Sequence, residues 1–339
     1  MTEELGNIAG DRVGVIVIGR NEGDRLKACL RSLPAGSDIV YVDSGSTDDS
    51  VAFARAQGFR VVELSTERGF TAARARNAGL DALAGEPLTF VQMVDGDCEV
   101  DERWIATARA ALEAEPDLAI VFGRRRERFP ERSIYNRLCD EEWNVPIGEA
   151  RSCGGDALFR LAPLVAADGY NGNIIAGEEP DLCFRLRSAG WRIRRIDAEM
   201  TRHDAAMTRY GQWWRRALRS GHAFAENHYR HPEDARWAQQ VKSFVIWGGI
   251  IPALVVALAL AGLAWPPLGW AGWLLALLYP LQIARLAWRK WRAGADPSFA
   301  LASAFFLTLG KLAQFSGWRR YHRNRRAARA STIIEYKGA

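Results

Sequence analysis

Apolar and polar positions alternate in two different ways along this chain, and the change between them divides it. In the first hundred residues, short apolar runs are separated by stretches of helical periodicity. Val13–Ile18 (VGVIVI) is a mostly β-branched run, the pattern of a strand buried on both faces of a parallel sheet. Asp24–Leu33 then reads as a helix, Ile39–Val42 as a strand, and Thr47–Gln57 as a helix with acidic residues in its first turn. Arg60–Leu64 reads as a third strand, Thr71–Leu83 as a helix and Leu88–Val94 as a fourth strand. This alternation predicts a doubly wound, mostly parallel α/β sheet, in which ligands bind beyond the carboxyl ends of the strands. The loops Gly19–Gly23, Asp43–Asp49 and Asp95–Glu99 are therefore the places to look for chemistry. Residues 120–205 are less regular, with a Gly-Gly turn at Gly154–Gly155, a helix over Asp181–Ala189 closed by Gly190, and a strand over Trp191–Ile196.

The second pattern begins near residue 240. From Ser243 to Ala284 no side chain is charged, enough for two crossings of a hydrocarbon core about 30 Å thick at roughly 20 residues each. Trp265-Pro266-Pro267 breaks the run and predicts a helical hairpin, with spans at about 243–264 and 268–288. Arg285, Arg289, Lys290 and Arg292 follow it and mark that end as cytoplasmic by the positive-inside rule. A third apolar stretch, Pro297–Gly310, is short and suits an interfacial or re-entrant segment over about 297–317. A full third crossing would carry Arg319, Arg320, Arg323, Arg325, Arg326 and Arg329 outward, against the same rule. The expected organisation is a catalytic domain at 1–205 (halves at about 12–100 and 101–205), an interfacial region at 206–240, a membrane region at 241–318, and a basic cytoplasmic tail at 319–339. Tyr210–Tyr229 mixes Tyr210, Trp213, Trp214, Leu218 and Phe224 with Arg215, Arg216 and Arg219, as in a helix lying in the membrane interface. An amphipathic helix docked on the sheet would show the same spacing.

Composition narrows this picture. The 339 residues carry a net charge of +5, and the mean hydropathy of −0.16 excludes a wholly membrane-embedded protein. Basic residues beside apolar spans point to an anionic lipid surface and away from nucleic acid. The five cysteines are odd in number and form no C-x-x-C pair, against a disulfide framework or structural zinc. Met1–Asp11 has acidic residues and no apolar core, so no signal peptide is expected there, and the catalytic part stays in the cytoplasm.

Asp95-Gly96-Asp97 directly follows an apolar strand. Two carboxylates flanking a glycine can approach a hard cation and leave positions open for phosphate oxygens, although D-G-D also suits a plain turn. Taken with Val15–Glu22 (VIVIGRNE), Val42–Asp48 (VDSGSTD), Gly69–Gly79 (GFTAARARNAG), Gly154–Arg160 (GGDALFR) and Gly177–Gly190 (GEEPDLCFRLRSAG), Val94–Asp97 (VDGD) resembles the family 2 glycosyltransferases of GT-A fold, over about residues 12–205. The apolar tail resembles those of relatives acting on lipid-linked or membrane-bound acceptors.

The resemblance implies roles. Asp43, with Arg20 and Glu22 on the neighbouring loop, would bind base and ribose of a nucleotide-diphosphate sugar, a UDP-sugar first, and Arg76 would either reach the nucleotide or stand as an exposed helix residue. Asp97 would hold Mg²⁺ or Mn²⁺ on the diphosphate, with Asp95 contacting ribose or metal and His203 a further ligand. Glu178-Glu179 stands where relatives have Glu-Asp, and Glu179 is the candidate general base for an inverting attack, with Glu178 the alternative. Asp156 is a candidate for acceptor or diphosphate. Gln212-Trp213-Trp214-Arg215-Arg216 partly matches the Q-x-x-R-W motif of processive synthases, with Trp214, Arg215 and Arg216 as acceptor or diphosphate contacts. Arg124–Arg126 and Arg128 read as a solvated loop able to meet phosphate. The expected protein is a bacterial inner-membrane transferase making cell-envelope glycan or glycolipid. A processive synthase, a catalytically dead scaffold and a nucleotidyltransferase are the alternatives.

Overall fold

A computed structural model of the protein describes residues 12–328, apart from 66 and 68, together with 332 and 334. Met1–Asp11, Arg329 and the C-terminal Ala339 lie outside the described residues. The chain divides into two units, Met1–Ala206 and Met207–Ala339.

The first unit is built as the apolar pattern requires. β1 (Val13–Gly19) lies parallel to β2 (Asp38–Asp43) on one side and β4 (Phe90–Asp95) on the other, and β3 (Arg60–Glu63) adds to β2. The crossovers are α1 (Asp24–Arg31), α2 (Ser50–Ala56) and α3 (Ala72–Ala82). Val15, Ile16, Val17, Val40, Val42, Val91 and Met93 are wholly buried, since helices cover both faces of these strands. The register pairs Gly19 with Asp43 and Ile18 with Asp95, so two carboxylates emerge on either side of the carboxyl end of β1.

Beyond β4 the sheet turns mixed. After β5 (Cys98–Val100), α4 (Trp104–Ala114) leads to β6 (Leu118–Glu127), α5 (Ile134–Glu142) and β7 (Gly148–Glu149). Then come β8 (Ala157–Arg160), α6 (Leu161–Ala166), α7 (Glu178–Ser188) and β9 (Arg192–His203). The order is β3-β2-β1-β4-β8-β6-β9-β5, with β7 paired to β9. β8 is antiparallel to both β4 and β6, and β9 is parallel to β6. The strand expected at Trp191–Ile196 thus runs on to His203.

Two readings of this region need correction. Arg124, Arg125 and Arg126 are not a solvated loop but the end of β6, paired with β9. Their charges are tolerated there because Arg124 meets Asp140 at 2.8 Å and Arg126 meets Glu199 at 2.6 Å. His203 does not follow a strand; it is the last residue of one, opposite Cys98 on β5 and Glu127 on β6.

The second unit is helical. α8 (Tyr210–Arg230) is followed by α9 (Ala235–Val245), which continues through a π-helical segment, Ile246–Ile250, into α10 (Ile251–Ala261). α11 (Pro266–Ala276) begins at the prolines that break the apolar run, α12 (Leu278–Arg292) extends it, and α13 (Pro297–Arg326) closes the unit. Among the described residues, three helices are long and apolar enough to cross a membrane: Ala235–Ala261, Pro266–Arg292 and Pro297–Arg326. The length and apolar character of these helices suggest membrane association. The hairpin falls where Pro266 and Pro267 interrupt the pattern, because two adjacent prolines suit a helix's first turn, where their missing N–H groups cost no intrahelical bond.

The third apolar segment differs from its expectation. It is the first half of one continuous 30-residue helix, α13, not a short re-entrant piece. α8 packs on its second half. A Cβ on Gly221 would lie 2.0 Å from the Gln314 carbonyl oxygen, and one on Gly317 2.0 Å from that of Leu218. Only glycine allows so close an approach of two helix backbones. Trp213 and Phe306 pack edge-on at 4.9 Å in the same interface.

Candidate active site

The site collects where β1, β4 and β6 end. Gly96 donates its backbone N–H to the Ile18 carbonyl at 2.8 Å, which turns the chain and leaves Asp95 and Asp97 at the strand end. Asp43 is buried, and its carboxylate is held by Tyr41 Oη at 2.7 Å and by the backbone N–H groups of Gly45 and Ser46 at 2.9 and 2.8 Å. Burial first, and the bonded Asp43 second, raise the Tyr41 phenol, which therefore stays protonated and donates. Asn21, at φ 54°, bridges the neighbouring loop by donating its backbone N–H to Ser46 Oγ and accepting from Thr47 N–H. Arg20 stands 5.2 Å over the Phe70 ring, and Glu22 pairs with Arg25 at 2.8 Å. The first two loops thus form one bonded shelf with its polar groups at the rim.

Arg76 is the hub. Its side chain is 2% exposed, and it donates to Asp95 Oδ1 at 2.9 Å and Glu178 Oε1 at 2.8 Å, with Glu179 Oε1 at 3.2 Å. Burial by itself would lower the guanidinium pKa. Attraction by Glu179, Asp95 and Glu178 outweighs it and holds Arg76 well above its ordinary value. The two glutamates sit in the first turn of α7, after Gly177 in the left-handed region at φ 87°. They differ in access, since the Glu178 side chain is 4% exposed and that of Glu179 17%. Burial, then the neighbouring Glu178, push the Glu179 carboxyl up from 4.5 to about 7.

A second cluster lies beside the first. His203 Nε2 is 3.1 Å from Asp97 Oδ2, and its Nδ1 faces Glu127 Oε2 at 3.8 Å. Burial and the nearby Arg125 hold the imidazole below its usual pKa, so it is neutral at pH 7 and able to ligate a metal. Glu127 is fixed by three donors: Ala205 N–H, Asn136 Nδ2 and Phe129 N–H, at 3.0, 3.0 and 3.1 Å. Asp97, Cys98 and His203 offer ligand atoms within 4.8 Å of one another. Burial drives the Cys98 thiol well above its ordinary pKa, which leaves a carboxylate and an imidazole as donors. A buried oxygen–nitrogen pair at a loop mouth fits Mg²⁺ or Mn²⁺ with its other positions open to phosphate.

Of the candidates Asp43, Arg76, Asp95, Asp97, Glu178, Glu179 and His203, the fold brings Arg76, Asp95 and both glutamates into contact. Asp156 takes a different part from the acceptor contact expected of it. It is wholly buried, accepts the Asp95 backbone N–H at 2.9 Å and Thr201 Oγ1 at 2.8 Å, and so supports the carboxylate motif from below. Trp214, Arg215 and Arg216 belong to α8 of the second unit. Arg125, read from the sequence only as part of a solvated loop able to meet phosphate, reaches Asp95 Oδ2 at 3.2 Å and Asp156 Oδ2 at 3.5 Å while stacking 4.9 Å over Trp143. Gly155 was read only as a turn. A Cβ there would lie 2.6 Å from Asp95 Oδ2 and 2.7 Å from Arg76 Nη2, so Gly155 is what lets the loop pass the hub.

Comparison with known proteins agrees with this geometry. Residues 14–156 match the family described as Glycosyl transferase family 2. An uncharacterized glycosyltransferase of Mycobacterium tuberculosis is 36% identical over 203 residues, 56% of this chain and 85% of that one. A dodecaprenyl-phosphate galacturonate synthase of Rhizobium johnstonii is 32% identical over 111 residues, 31% of each chain. Among solved structures, a mannosyltransferase from Pyrobaculum calidifontis in complex with GDP-Man and Mn²⁺ shares the fold, with a TM-score of 0.59 at 19% identity over 93% of this chain and 88% of that one. With the carboxylate motif at the end of β4 and a relative matched over most of its length, the chain belongs to glycosyl transferase family 2 and is a glycosyltransferase.

Proposed function

We propose that this glycosyltransferase moves a sugar, with inversion, from a nucleoside-diphosphate donor to a lipid-linked or membrane-associated acceptor. The setting is the cytoplasmic face of a bacterial inner membrane, in cell-envelope glycan or glycolipid synthesis, and the leading donor is a UDP-sugar. The observation that carries the reading is the Arg76 hub, which joins the donor-side Asp95 to the acceptor-side Glu178 and Glu179.

Asp43 and the bonded loop around Asn21 receive base and ribose, with directional acceptors held in fixed geometry. Asp97 and His203 would hold Mg²⁺ or Mn²⁺, which when bound would supply positive charge to neutralise the leaving diphosphate. Glu179, the more accessible glutamate, takes the proton from the acceptor hydroxyl; a carboxyl titrating at about 7 is well matched to that task. The hydroxyl oxygen then bonds to the anomeric carbon from the face opposite the diphosphate, whose C–O bond breaks. Arg76 keeps both glutamates aligned and buffers their mutual repulsion.

The kinship with a dodecaprenyl-phosphate galacturonate synthase supports a polyprenyl-type acceptor. The second unit supports a two-crossing topology. α13 exposes Leu301, Phe305 and Leu307 along its first half, but α8 covers its second half with buried His222, Glu226 and Asn227 between them. That polar face does not belong in hydrocarbon. The charge-free stretch Pro297–Gly310 spans only about 20 Å at 1.5 Å per residue, so although α13 as a whole is long and apolar enough to cross, a crossing would carry Lys311 and that polar face with it. Two crossings and an in-plane α13 leave the C-terminus in the cytoplasm.

The test is a binding screen of UDP, GDP, CMP and dTDP on detergent-purified protein, with and without Mn²⁺. Metal-dependent binding of one diphosphate is expected. Folded protein that binds none would favour a scaffold with a transferase fold.

A further inference from the structure

The last turns of α13 carry a feature that the transferase chemistry does not use. A cavity of about 790 Å³ is lined by Trp318, Arg319, Arg320, His322, Arg323 and Arg326, with Ser316 and Ala327 completing it. Positions 319, 322, 323 and 326 follow the i, i+3, i+4, i+7 spacing and so share one helix face. Among the described residues, none of these arginines forms an ion pair with a carboxylate; Arg320 donates to the Thr332 hydroxyl at 3.1 Å. No Asp or Glu occurs from Pro297 to Ile334.

The first unit treats its arginines differently. Arg126 is bidentate to Glu199, and Arg192 and Arg194 share Glu149. Like charges three and four residues apart repel, and the helix C-terminal dipole offsets only part of that. An array of this kind gains most when an anion enters it, and guanidinium forks match phosphate oxygens two at a time.

We propose that this cavity binds the phosphate of an anionic membrane lipid. Two features of α13 favour a lipid over a soluble phosphate. The same helix exposes Leu301, Phe305 and Leu307 along its first half, a surface suited to acyl chains. Trp318 stacks on Phe315 at 5.5 Å and meets His322 at 4.5 Å, so an indole stands beside the guanidiniums as it does at membrane interfaces. The site is independent of the donor and of the catalytic reading, and lipid held there would seat α13 in the plane of the membrane.

The experiment uses the full chain in nanodiscs of phosphatidylcholine with a minor share of phosphatidylglycerol, and native mass spectrometry reads the lipid retained. Wild type is expected to retain phosphatidylglycerol selectively. The double variant Arg319→Gln/Arg323→Gln should weaken that retention about 30-fold, from about fivefold per arginine. Arg319→Lys/Arg323→Lys keeps the charge and should retain part of the selectivity; it also serves if the glutamine variant fails to fold, which far-UV circular dichroism reports. Equal retention of both lipids by wild type, or undiminished selectivity in a folded glutamine variant, would overturn the proposal. Displacement of the lipid by millimolar inorganic pyrophosphate would assign the cavity to a soluble phosphate instead, and would equally overturn it.

Discussion

Replacing Glu179 by Gln separates catalysis from stability, because the same environment that fits this carboxyl for proton transfer makes its charge costly. Burial and Glu178 raise it from 4.5 to about 7. A raised carboxyl pKa means that the folded state holds the proton more tightly than the unfolded chain. The associated stability is full below about 4.5 and is lost as pH rises through about 7. A displacement of that size, from which the opposing attraction of Arg76 at 3.2 Å is already taken off, corresponds to about 3 kcal/mol at most. Glu179→Gln should therefore stabilise the fold at pH 8 by about 1–3 kcal/mol, raising Tm by several degrees, while Arg76 keeps Asp95 and Glu178. Turnover should fall by about 10²–10⁴, the usual worth of a general base. In the wild type, a base titrating at about 7 is about one-tenth ionised at pH 6 and nine-tenths at pH 8. The acid limb of kcat/KM should fall accordingly. Scanning fluorimetry at pH 5 and pH 8 and single-turnover transfer across pH 6–8 read both effects. A variant that keeps near-wild-type turnover, or melts lower at pH 8 than wild type, would refute the reasoning.

Asp97→Asn removes the carboxylate that faces His203 at 3.1 Å; transfer should be abolished and Mn²⁺-dependent nucleotide binding weakened at least tenfold, read by calorimetry and by Mn²⁺ paramagnetic resonance. Gly155→Ala forces a methyl against Asp95 and Arg76, and should cost about 1–3 kcal/mol of stability together with most of the activity, whereas Gly154→Ala, whose nearest neighbour is 3.8 Å away, should be mild. A cytoplasm-active reporter fused at Ala339 should be active and a periplasm-active one silent; the reverse would show that α13 crosses the membrane.

The sequence by itself determined the strands that need no partner to be recognised. β1, β2 and β4 are apolar runs buried on both faces, and the loops that end them carry Asp43, Asp95 and Asp97. It also determined the hairpin, because a long charge-free run and a proline break are local properties. Arg124 to Arg126 read as a loop because three consecutive arginines have little intrinsic tendency to form a strand. They become one only because β9 and carboxylates from distant segments, Asp140 and Glu199, lie alongside. The same long-range pairing carries β9 on to His203 and brings it opposite Cys98, beside Asp97. Arg76 could be named from its motif, but not as the group that joins three carboxylates contributed 19 and 102–103 residues away. Contacts between residues so far apart leave no periodicity in the chain. They exist only once the sheet has folded, since burying the charges of Arg76 and its partners is tolerable only when all of them arrive together.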